Sequence, residues 1–253
     1  MYLYISALPA QPSRAGASPM PRAVPADGLG CDSMTVPTVN PPVARQARSR
    51  KTHGRIFEAG TELLLEGGIE SLTVADVAKR AGVSIGSVYR RFGNKDLLLV
   101  AIQREHVSGY ATSYDARVAA ADLATCTDPA LVVRTALTCL VNGPRNDRRL
   151  LRVFILLGTQ NEAVREIGEE STRACGDVFH RALQPIRHRI RHHDVDAAIE
   201  FAYRLINATW SHRVVHGDMQ SHGPLPWRDM IDELSRAVTM YLLGELPDDS
   251  PTH

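Results

Sequence analysis

The stretch "RAGVSIGSVYRRFGNK", residues 80–95, decides how the chain folds. It joins two short helical patterns through a break at Gly82, and glycine takes the left-handed backbone conformation without a steric penalty. Two short helices joined by a tight turn that contains glycine form a helix-turn-helix. The stretch contains no aspartate or glutamate, so a pair of carboxylates cannot perform acid/base catalysis here. We therefore interpret it as part of a binding element.

Helices of residues 74–81 and 85–92 are predicted on the two sides of this turn. Ser84 is placed to cap the second helix, because its hydroxyl can accept a hydrogen bond from the first helical turn. Val83 and Val88 occupy the two positions of a hydrophobic staple, which fixes the angle at which the chain enters a helix. Val88 is then expected to face the core formed with the preceding helices.

The face of helix 85–92 that points away from Val88 is small and polar at its start and cationic at its end. A recognition helix enters the major groove of DNA with its first residues near the base edges. Ile85 can contact a thymine methyl group, and Arg90 can bind guanine or a phosphate. Tyr89 can donate its hydroxyl to a phosphate. The predicted groove-facing residues are Ile85, Gly86, Ser87, Tyr89 and Arg90.

Polar caps are also predicted at the starts of the two neighbouring helices. Thr73 and Asp76 resemble a capping box at the start of helix 74–81. Asn94 is placed to cap the helix after the recognition helix, and the first amides of that helix together with Lys95 would bind another phosphate.

Charge is distributed unevenly along the chain, although the net charge is only +1. Residues 45–95 carry ten Lys/Arg against five Asp/Glu, which leaves nineteen against twenty-three for the rest. A basic segment beside an acidic remainder is typical of a module that binds a polyanion. A solvated charged face is the alternative that charge alone leaves open. Residues 45–51 precede the first helix, and we expect them to form a flexible basic arm that reaches the DNA backbone or minor groove.

The rest of the chain predicts an all-α protein. Residues 1–44 hold eight of the fifteen prolines and are predicted to be disordered, so translation is expected to begin at Met20 or Met34. No apolar run reaches the ~18 residues that a membrane span needs, and the four scattered cysteines fit a reduced cytoplasm. Helical periodicity predicts helices over residues 51–66, 74–81, 85–92, 128–142, 147–158, 162–190, 194–216 and 228–245.

The segment "RIFEAGTELLLEGGIESLTVADVAKRAGVSIGSVYRRFGNKDLLLVAI", residues 55–102, resembles the tetracycline-repressor (TetR/AcrR) family of bacterial transcription regulators. The likeness runs from the first helix to beyond the recognition helix and covers about a fifth of the chain. It implies an amino-terminal helix-turn-helix domain of three helices that binds DNA, and a carboxy-terminal helical bundle for ligand binding and dimerisation. The implied divisions are an extension over 1–44, the DNA-binding domain over 45–95, the ligand-binding and dimerisation domain over 96–247, and a tail over 248–253.

The resemblance also implies a function and its residues. We expect a cytoplasmic homodimer, not an enzyme, that binds a palindromic operator in double-stranded DNA as a repressor and is released by a small-molecule effector, with no cofactor. Ile85 stands where the family often has a polar or cationic residue, and "YRRF" replaces the commoner "YHYF", so base preference cannot be transferred. By motif position the family's DNA contacts fall on Thr73, Ser84, Ile85, Gly86, Ser87, Tyr89, Arg90, Arg91 and Lys95.

Residues 107–253 contain no motif of comparable specificity. Some of their aromatic and amide side chains are candidates for lining an apolar cavity between helices, although core packing explains the same residues. By family likeness, helices 194–216 and 228–245 form the dimer surface, but a core-facing helix would show the same amphipathic pattern. The cavity candidates are Tyr110, Phe154, Phe179 and Asn207, and the dimer candidates are Leu234, Val238 and Tyr241.

Two histidine pairs offer a different hypothesis. His188/His192 and His212/His216 are each four residues apart, a spacing that places two imidazoles on one helical turn for a metal. Neighbouring arginines repel a cation, and no carboxylate or cysteine stands at a matching spacing, so no metal site is predicted. A helical metal-binding protein or enzyme stays open as an alternative. A helical adaptor without DNA binding would be favoured by acidic residues on the recognition face, and none is present.

Overall fold

The computed structural model describes residues 43–143, 148–218 and 223–244. All regular structure in these ranges is helical, so the predicted all-α class is confirmed. None of the helices described is both long and apolar enough to cross a lipid bilayer. The α-helices are α1 (Val43–Ser71), α2 (Val74–Ala81), α3 (Ile85–Phe92), α4 (Lys95–Val107), α5 (Tyr110–Ala120), α6 (Pro129–Asn142), α7 (Arg148–Gly158), α8 (Glu162–Ala182), α9 (Val195–His216) and α10 (Trp227–Leu243), and short 3-10 helices span Leu123–Thr125 and Gln184–Arg189.

The first helix begins earlier than its sequence pattern predicted. α1 starts at Val43 instead of at the start of 51–66, and the basic segment 45–51 is helical, which corrects the expectation of a flexible arm. The first turns contain no glycine or proline, and they are rich in Ala, Arg and Gln, which are good helix formers. Helical geometry is interrupted at Gly67 (φ −142°) and Gly68 (φ 67°), directly after residue 66, where the predicted helix 51–66 ends.

Some sequence predictions fall outside the described residues. These are the extension up to residue 42 with its candidate start sites Met20 and Met34, and the tail over 248–253. The boundary placed between 45–95 and 96–247 stays a prediction.

Proline divides the long helix predicted over residues 162–190. α8 ends at Ala182, and the chain continues as the 3-10 helix Gln184–Arg189 with Pro185 near its start. Proline has no N–H and its ring clashes with the preceding turn, so an α-helix does not continue easily through it. Sequence reasoning missed α5, in which Tyr114 alone is buried and no apolar stripe marks the helix. The other predicted carboxy-terminal helices are found within one or two residues of their expected ends.

Two clusters of buried apolar side chains hold the helices together. The first, here called the amino-terminal core, joins α1, α2, α3 and α4 with Leu150 and Phe154 of α7 and Val164 of α8. Val88 is the buried member that α3 contributes, as predicted. The helix-turn-helix therefore does not close its core alone. The buried members are Ile56, Ala59, Leu63, Leu64, Leu72, Val74, Val77, Ala78, Ala81, Val88, Leu98, Leu99, Ile102, Leu150, Phe154 and Val164.

The second cluster, the carboxy-terminal core, joins α5, α6, α8, α9 and α10. Two tyrosines in it are tied to the backbone: Tyr114 donates to the Ala136 carbonyl at 3.1 Å, and Tyr203 donates to the Thr172 carbonyl at 2.5 Å. Burial raises the pKa of both hydroxyls. Burial also raises the pKa of the Cys175 thiol to about 11. These groups are therefore uncharged at neutral pH and contribute packing and hydrogen bonds.

α4 connects α1 with α8. It begins at Lys95, directly after α3, and crosses α1 where Gly60 makes room for Ile102; a Cβ atom on Gly60 would collide with Ile102 Cδ1. The next residue, the buried Gln103, donates from Nε2 to the Val164 carbonyl at 2.8 Å. The helix that follows the helix-turn-helix is thus attached both to α1 and to the carboxy-terminal half.

Candidate nucleic-acid interface

The turn between α2 and α3 has the geometry that its glycine predicted. Gly82 is left-handed, with φ 62° and ψ 42°. Its N–H donates to the Lys79 carbonyl at 3.3 Å, and the Val83 N–H donates to the Ala78 carbonyl at 3.0 Å, which are the two bonds of a Schellman motif. The left-handed conformation penalises any residue with a Cβ atom. Glycine at this position therefore fixes the direction in which α3 leaves α2.

Both predicted caps around α3 are confirmed. The Ser84 hydroxyl accepts from the Ser87 N–H at 3.2 Å and starts α3. Asn94 Oδ1 accepts from the Leu97 N–H at 2.8 Å and starts α4. Lys95 is then the first residue of α4 and is half-buried. Positive charge from the helix amides and the ammonium group is thus concentrated just beyond the end of α3.

Thr73 caps α2 and uses its hydroxyl to do so. Thr73 Oγ1 accepts from the Asp76 N–H at 3.0 Å and donates to Asp76 Oδ2 at 2.5 Å. The predicted cap is confirmed, but the carboxylate bonds the hydroxyl, whereas the Thr73 N–H donates to the Ser71 carbonyl at 3.1 Å. Thr73 lies half-buried at the start of α2, and its contact with DNA stays a prediction.

The outward face of α3 leaves large side chains in solvent. Ile85 is 49% exposed and Tyr89, one turn later, is 52% exposed. Gly86 and Arg90 are exposed and Ser87 is half-buried. The helix therefore buries one face and offers the other, with an apolar residue first and a cation last, to a partner.

The ion pairs that join α2 to α1 were not predicted from the sequence. Arg80 forms two bonds with the Glu66 carboxylate, at 2.6 and 2.8 Å, and its Nη1 lies 3.6 Å from Glu62. The bond from Arg80 lowers the pKa of the Glu66 carboxyl. Fourteen residues separate the two partners, so no local spacing rule identifies the pair. Arg80 is thus occupied in holding α2 on α1.

The two arginines at the end of α3 differ in their contacts. Arg91 Nη1 and Nη2 each donate to the Ser49 hydroxyl of α1 at 3.3 Å. Among the described residues, no hydrogen bond or ion pair is found for the Arg90 guanidinium. Arg90 was predicted from the sequence to lie on the groove-facing side of α3, but Ser49 was not identified as the partner of Arg91.

Comparison with known proteins identifies the segment that carries these features. Residues 56–102 match the family model described as bacterial regulatory proteins, tetR family. This segment is a tetR-family domain. It contains α2, α3 and the turn between them, and the family assigned by sequence resemblance is confirmed.

Individual relatives match over the same part of the chain. An uncharacterized HTH-type transcriptional regulator of Mycobacterium tuberculosis is 33% identical over 57 residues, which are 22% of this chain and 30% of that protein. YvkB of Bacillus subtilis, also an uncharacterized HTH-type transcriptional regulator, is 36% identical over 59 residues, 23% of this chain and 31% of that protein. The chain thus spans about a third of the length of the curated relatives it matches.

A solved structure extends the likeness to the fold of the carboxy-terminal half. A bacterial regulatory protein of the tetR family from Rhodococcus RHA1 aligns with a TM-score of 0.56 and 22% identity, over 78% of this chain and 99% of that chain. At this identity the comparison establishes a shared fold: a tetR-family domain followed by a helical carboxy-terminal region, as predicted.

The four cavity candidates beyond the tetR-family domain are not gathered at one place. The Tyr110 hydroxyl lies 2.9 Å from His106 Nε2, and the Phe154 and His106 ring centroids are 5.6 Å apart. Phe154 belongs to the amino-terminal core, whereas Phe179 is buried in the carboxy-terminal core. Asn207 is half-buried on α9. A role of these residues in ligand binding stays a prediction.

A groove of about 460 Å³ opens between α6 and α10, away from these four candidates. Arg134 of α6 and Asp232 of α10 form an ion pair of 2.7 Å in its wall. The wall also includes Leu131, Ser235, Thr239 and Met240.

The dimer residues predicted on α10 require a correction. Leu234 and Val238 are 7% and 0% exposed and belong to the chain's own carboxy-terminal core. Their amphipathic spacing reflects packing within the chain, so they are not available to a second copy. Tyr241 is half-buried, and its ring centroid lies 5.1 Å from that of Phe201. On α9 and α10, Phe201 and Met240 are 52% and 74% exposed.

The histidine pairs lack the arrangement of a metal site. His188 lies in a 3-10 helix and His192 lies after it, so the two do not share an α-helical turn. His212 and His216 do share α9, with ring centroids 4.7 Å apart. No group of three His, Cys, Asp or Glu side chains suited to a metal occurs in the part of the chain that the structure describes.

Proposed function

We propose that the protein is a transcriptional regulator that binds duplex DNA through α3. The exposed face of this helix carries the proposal. Ile85 and Tyr89 stay about half in solvent while Val88, on the other face, is fully buried. An apolar side chain can pack on a thymine methyl, and a tyrosine hydroxyl can bond a phosphate. Gly86 adds no side chain to this face, so the backbone can approach the bases closely.

The other predicted DNA contacts extend this surface in both directions. Ser84 and Ser87 lie at the amino-terminal end of α3, where a recognition helix meets base edges. Arg90 lies at its carboxy-terminal end, and Lys95 begins α4. Thr73 at the start of α2 completes the proposed set of contacts.

Binding as a homodimer to a palindromic operator is part of the proposal. A recognition helix of two turns reads only a few base pairs, and a two-fold axis in the protein matches a two-fold axis in the DNA. We assign the interface to the exposed sides of α9 and α10, where Phe201, Met240 and Tyr241 would bury apolar surface against a second copy.

We also propose that a small-molecule effector, bound among the carboxy-terminal helices, releases the protein from its operator, so that it acts as a repressor in the cytoplasm. A ligand shifts an equilibrium only by binding one state better than the other. α4 supports such coupling, because Gln103 is bonded to Val164 of α8 and Ile102 is packed on Gly60 of α1. A change in the position of α8 would therefore displace the helix that begins at Lys95.

The test begins with the purified protein and sheared genomic DNA. Fragments that it retains are sequenced, and a symmetric site common to them is synthesised as a duplex. The affinity for this duplex should fall steeply with salt, because lysine and arginine contacts to phosphates release counterions. Failure to retain any duplex at low salt would exclude the proposal.

Arg90 and Arg181 provide a matched pair of variants. Both are exposed arginines, but Arg181 lies on α8 and bonds Asp115 at 2.9 Å. Arg90→Ala should weaken operator binding by ~1–3 kcal/mol if Arg90 makes a bidentate base contact, with specificity relaxed at one base pair, whereas Arg181→Ala should leave affinity unchanged. Equal effects of the two variants would exclude Arg90 from the proposed set of specific DNA contacts.

A further inference from the structure

The contact between Arg91 and Ser49 joins the end of α3 to the first turns of α1. Both guanidinium nitrogens lie 3.3 Å from one serine oxygen, across a sequence separation of 42 residues. Because both nitrogens donate to this oxygen, the Arg91 guanidinium points toward α1. Arg90 and Arg91 are both exposed, but of the two only Arg91 has a hydrogen-bond partner among the described residues.

An aromatic contact supports the same junction. The Phe92 ring packs edge-on against Phe57 at a centroid distance of 5.8 Å, and His53 lies 4.3 Å from Phe57 and 6.0 Å from Phe92. Ser49, His53 and Phe57 are spaced by four residues, so they lie on one face of α1. The end of α3 is therefore attached to α1 over two successive turns.

We infer that Arg91 is a positioning residue, which acts on DNA binding through Ser49 and not by its own contact with DNA. This inference rests on the proposed function. Arg50 and Lys51 directly follow Ser49 and are exposed. With Ser49 attached to α3, these two cations are held in a helix beside the recognition helix, where they can bind phosphates that flank the bases it reads.

The expected energetic effect comes from preorganisation. A hydrogen bond at an exposed site contributes little to folding, because water replaces it. A long cationic side chain that must be ordered on binding costs affinity, however, and a segment ordered in advance avoids part of that cost. Loss of the contact should therefore weaken DNA binding by about three- to tenfold and should hardly change the unfolding midpoint.

A double-mutant cycle on operator affinity tests the inference. Ser49→Ala, Arg91→Ala and the double variant should all lose affinity by about the same factor, because each removes the same contact. Ser49→Thr keeps the hydroxyl and should restore the affinity of the unmutated protein. Thermal unfolding of all four variants serves as the control for folding.

Two results would overturn the inference. If Arg91 binds a phosphate itself, Arg91→Ala alone will weaken binding and flatten the salt slope by about one, Ser49→Ala will have no effect, and the two effects will add. If Ser49→Thr is as weak as Ser49→Ala while both remain folded, the hydroxyl is not the partner that matters. Both results leave operator binding by the unmutated protein intact. Failure of the proposed function would instead appear as no duplex retained by the unmutated protein.

Discussion

The helices before and after α4 differ in how far the sequence alone specifies what they pack against. Around α2 and α3, each junction depends on one particular kind of residue: a hydroxyl at Thr73 and Ser84, a left-handed glycine at Gly82, and an amide at Asn94. Each of these residues bonds or shapes the backbone locally. A sequence pattern can therefore specify the geometry of these junctions without knowledge of the rest of the chain.

The carboxy-terminal helices are also capped by side chains, at Asp128, Asn161 and Asp194, but apolar periodicity alone does not specify which surface their apolar faces pack against. The spacing of Leu234 and Val238 is the same whether their face packs on the chain's own helices or on a second copy, and the structure buries both within the chain. Phe201 and Met240, which are exposed, break the apolar periodicity of the buried faces. An interface is therefore better sought among large apolar residues that deviate from the core pattern than among those that follow it.

Two substitutions on α10 distinguish residues of the core from residues of the proposed dimer interface, and the first of them is expected to have the largest effect. Val238→Asp places an unpaired charge in the carboxy-terminal core and should destabilise the protein by at least ~3 kcal/mol, seen as loss of the cooperative thermal transition. Ala237→Asp, on the exposed side one residue earlier, should leave the chain folded but shift the sedimentation of the proposed dimer toward the monomer. A Val238→Asp protein that is folded but monomeric would show that Val238 belongs to the dimer interface and not to the core.

A substitution on α3 separates stability from DNA binding. A Cβ atom built on Gly86 meets nothing within 4 Å apart from its own helix backbone and its two chain neighbours, so Gly86→Ala should stabilise the helix by ~0.5–1 kcal/mol. The added methyl group lies on the proposed DNA face and should weaken operator binding by about the worth of one base contact, ~1–3 kcal/mol. Urea unfolding and anisotropy titration measure the two effects. Unchanged DNA affinity would show that the backbone at Gly86 does not approach the bases closely.

Replacement by alanine should change the free energy of unfolding in opposite directions at the turn glycine, Gly82, and at a helical glycine, Gly54. Gly82→Ala forces a Cβ atom into the left-handed region and should destabilise the protein by ~1–2 kcal/mol. Gly54→Ala, in α1 where the added Cβ meets nothing within 4 Å apart from its own helix backbone and its two chain neighbours, should stabilise it by ~0.5–1 kcal/mol. The free energy of unfolding in urea tests both, and effects of the same sign would contradict the role assigned to Gly82.

Local chemistry accounts for what was predictable from the sequence. The turn, the caps at Ser84 and Asn94, the burial of Val88 and most helix ends follow from residues close together in the chain. The pairs Arg80–Glu66 and Arg91–Ser49 could not be predicted, because they join residues brought together only by packing of α1 against α2 and α3. The break at Pro185 was overlooked, although proline is itself a local signal.

The amino-terminal core, closed by Leu150, Phe154 and Val164, limits how this protein can be divided or recombined. A fragment that ends after α4 would expose to water the apolar surface that α7 and the start of α8 now cover. Such a fragment, although it contains the whole matched segment over 56–102, would be less stable than the intact chain and prone to associate through that surface. A chimera that exchanges DNA specificity between regulators of this fold would have to preserve the surface that receives α7 as well as transfer the recognition helix.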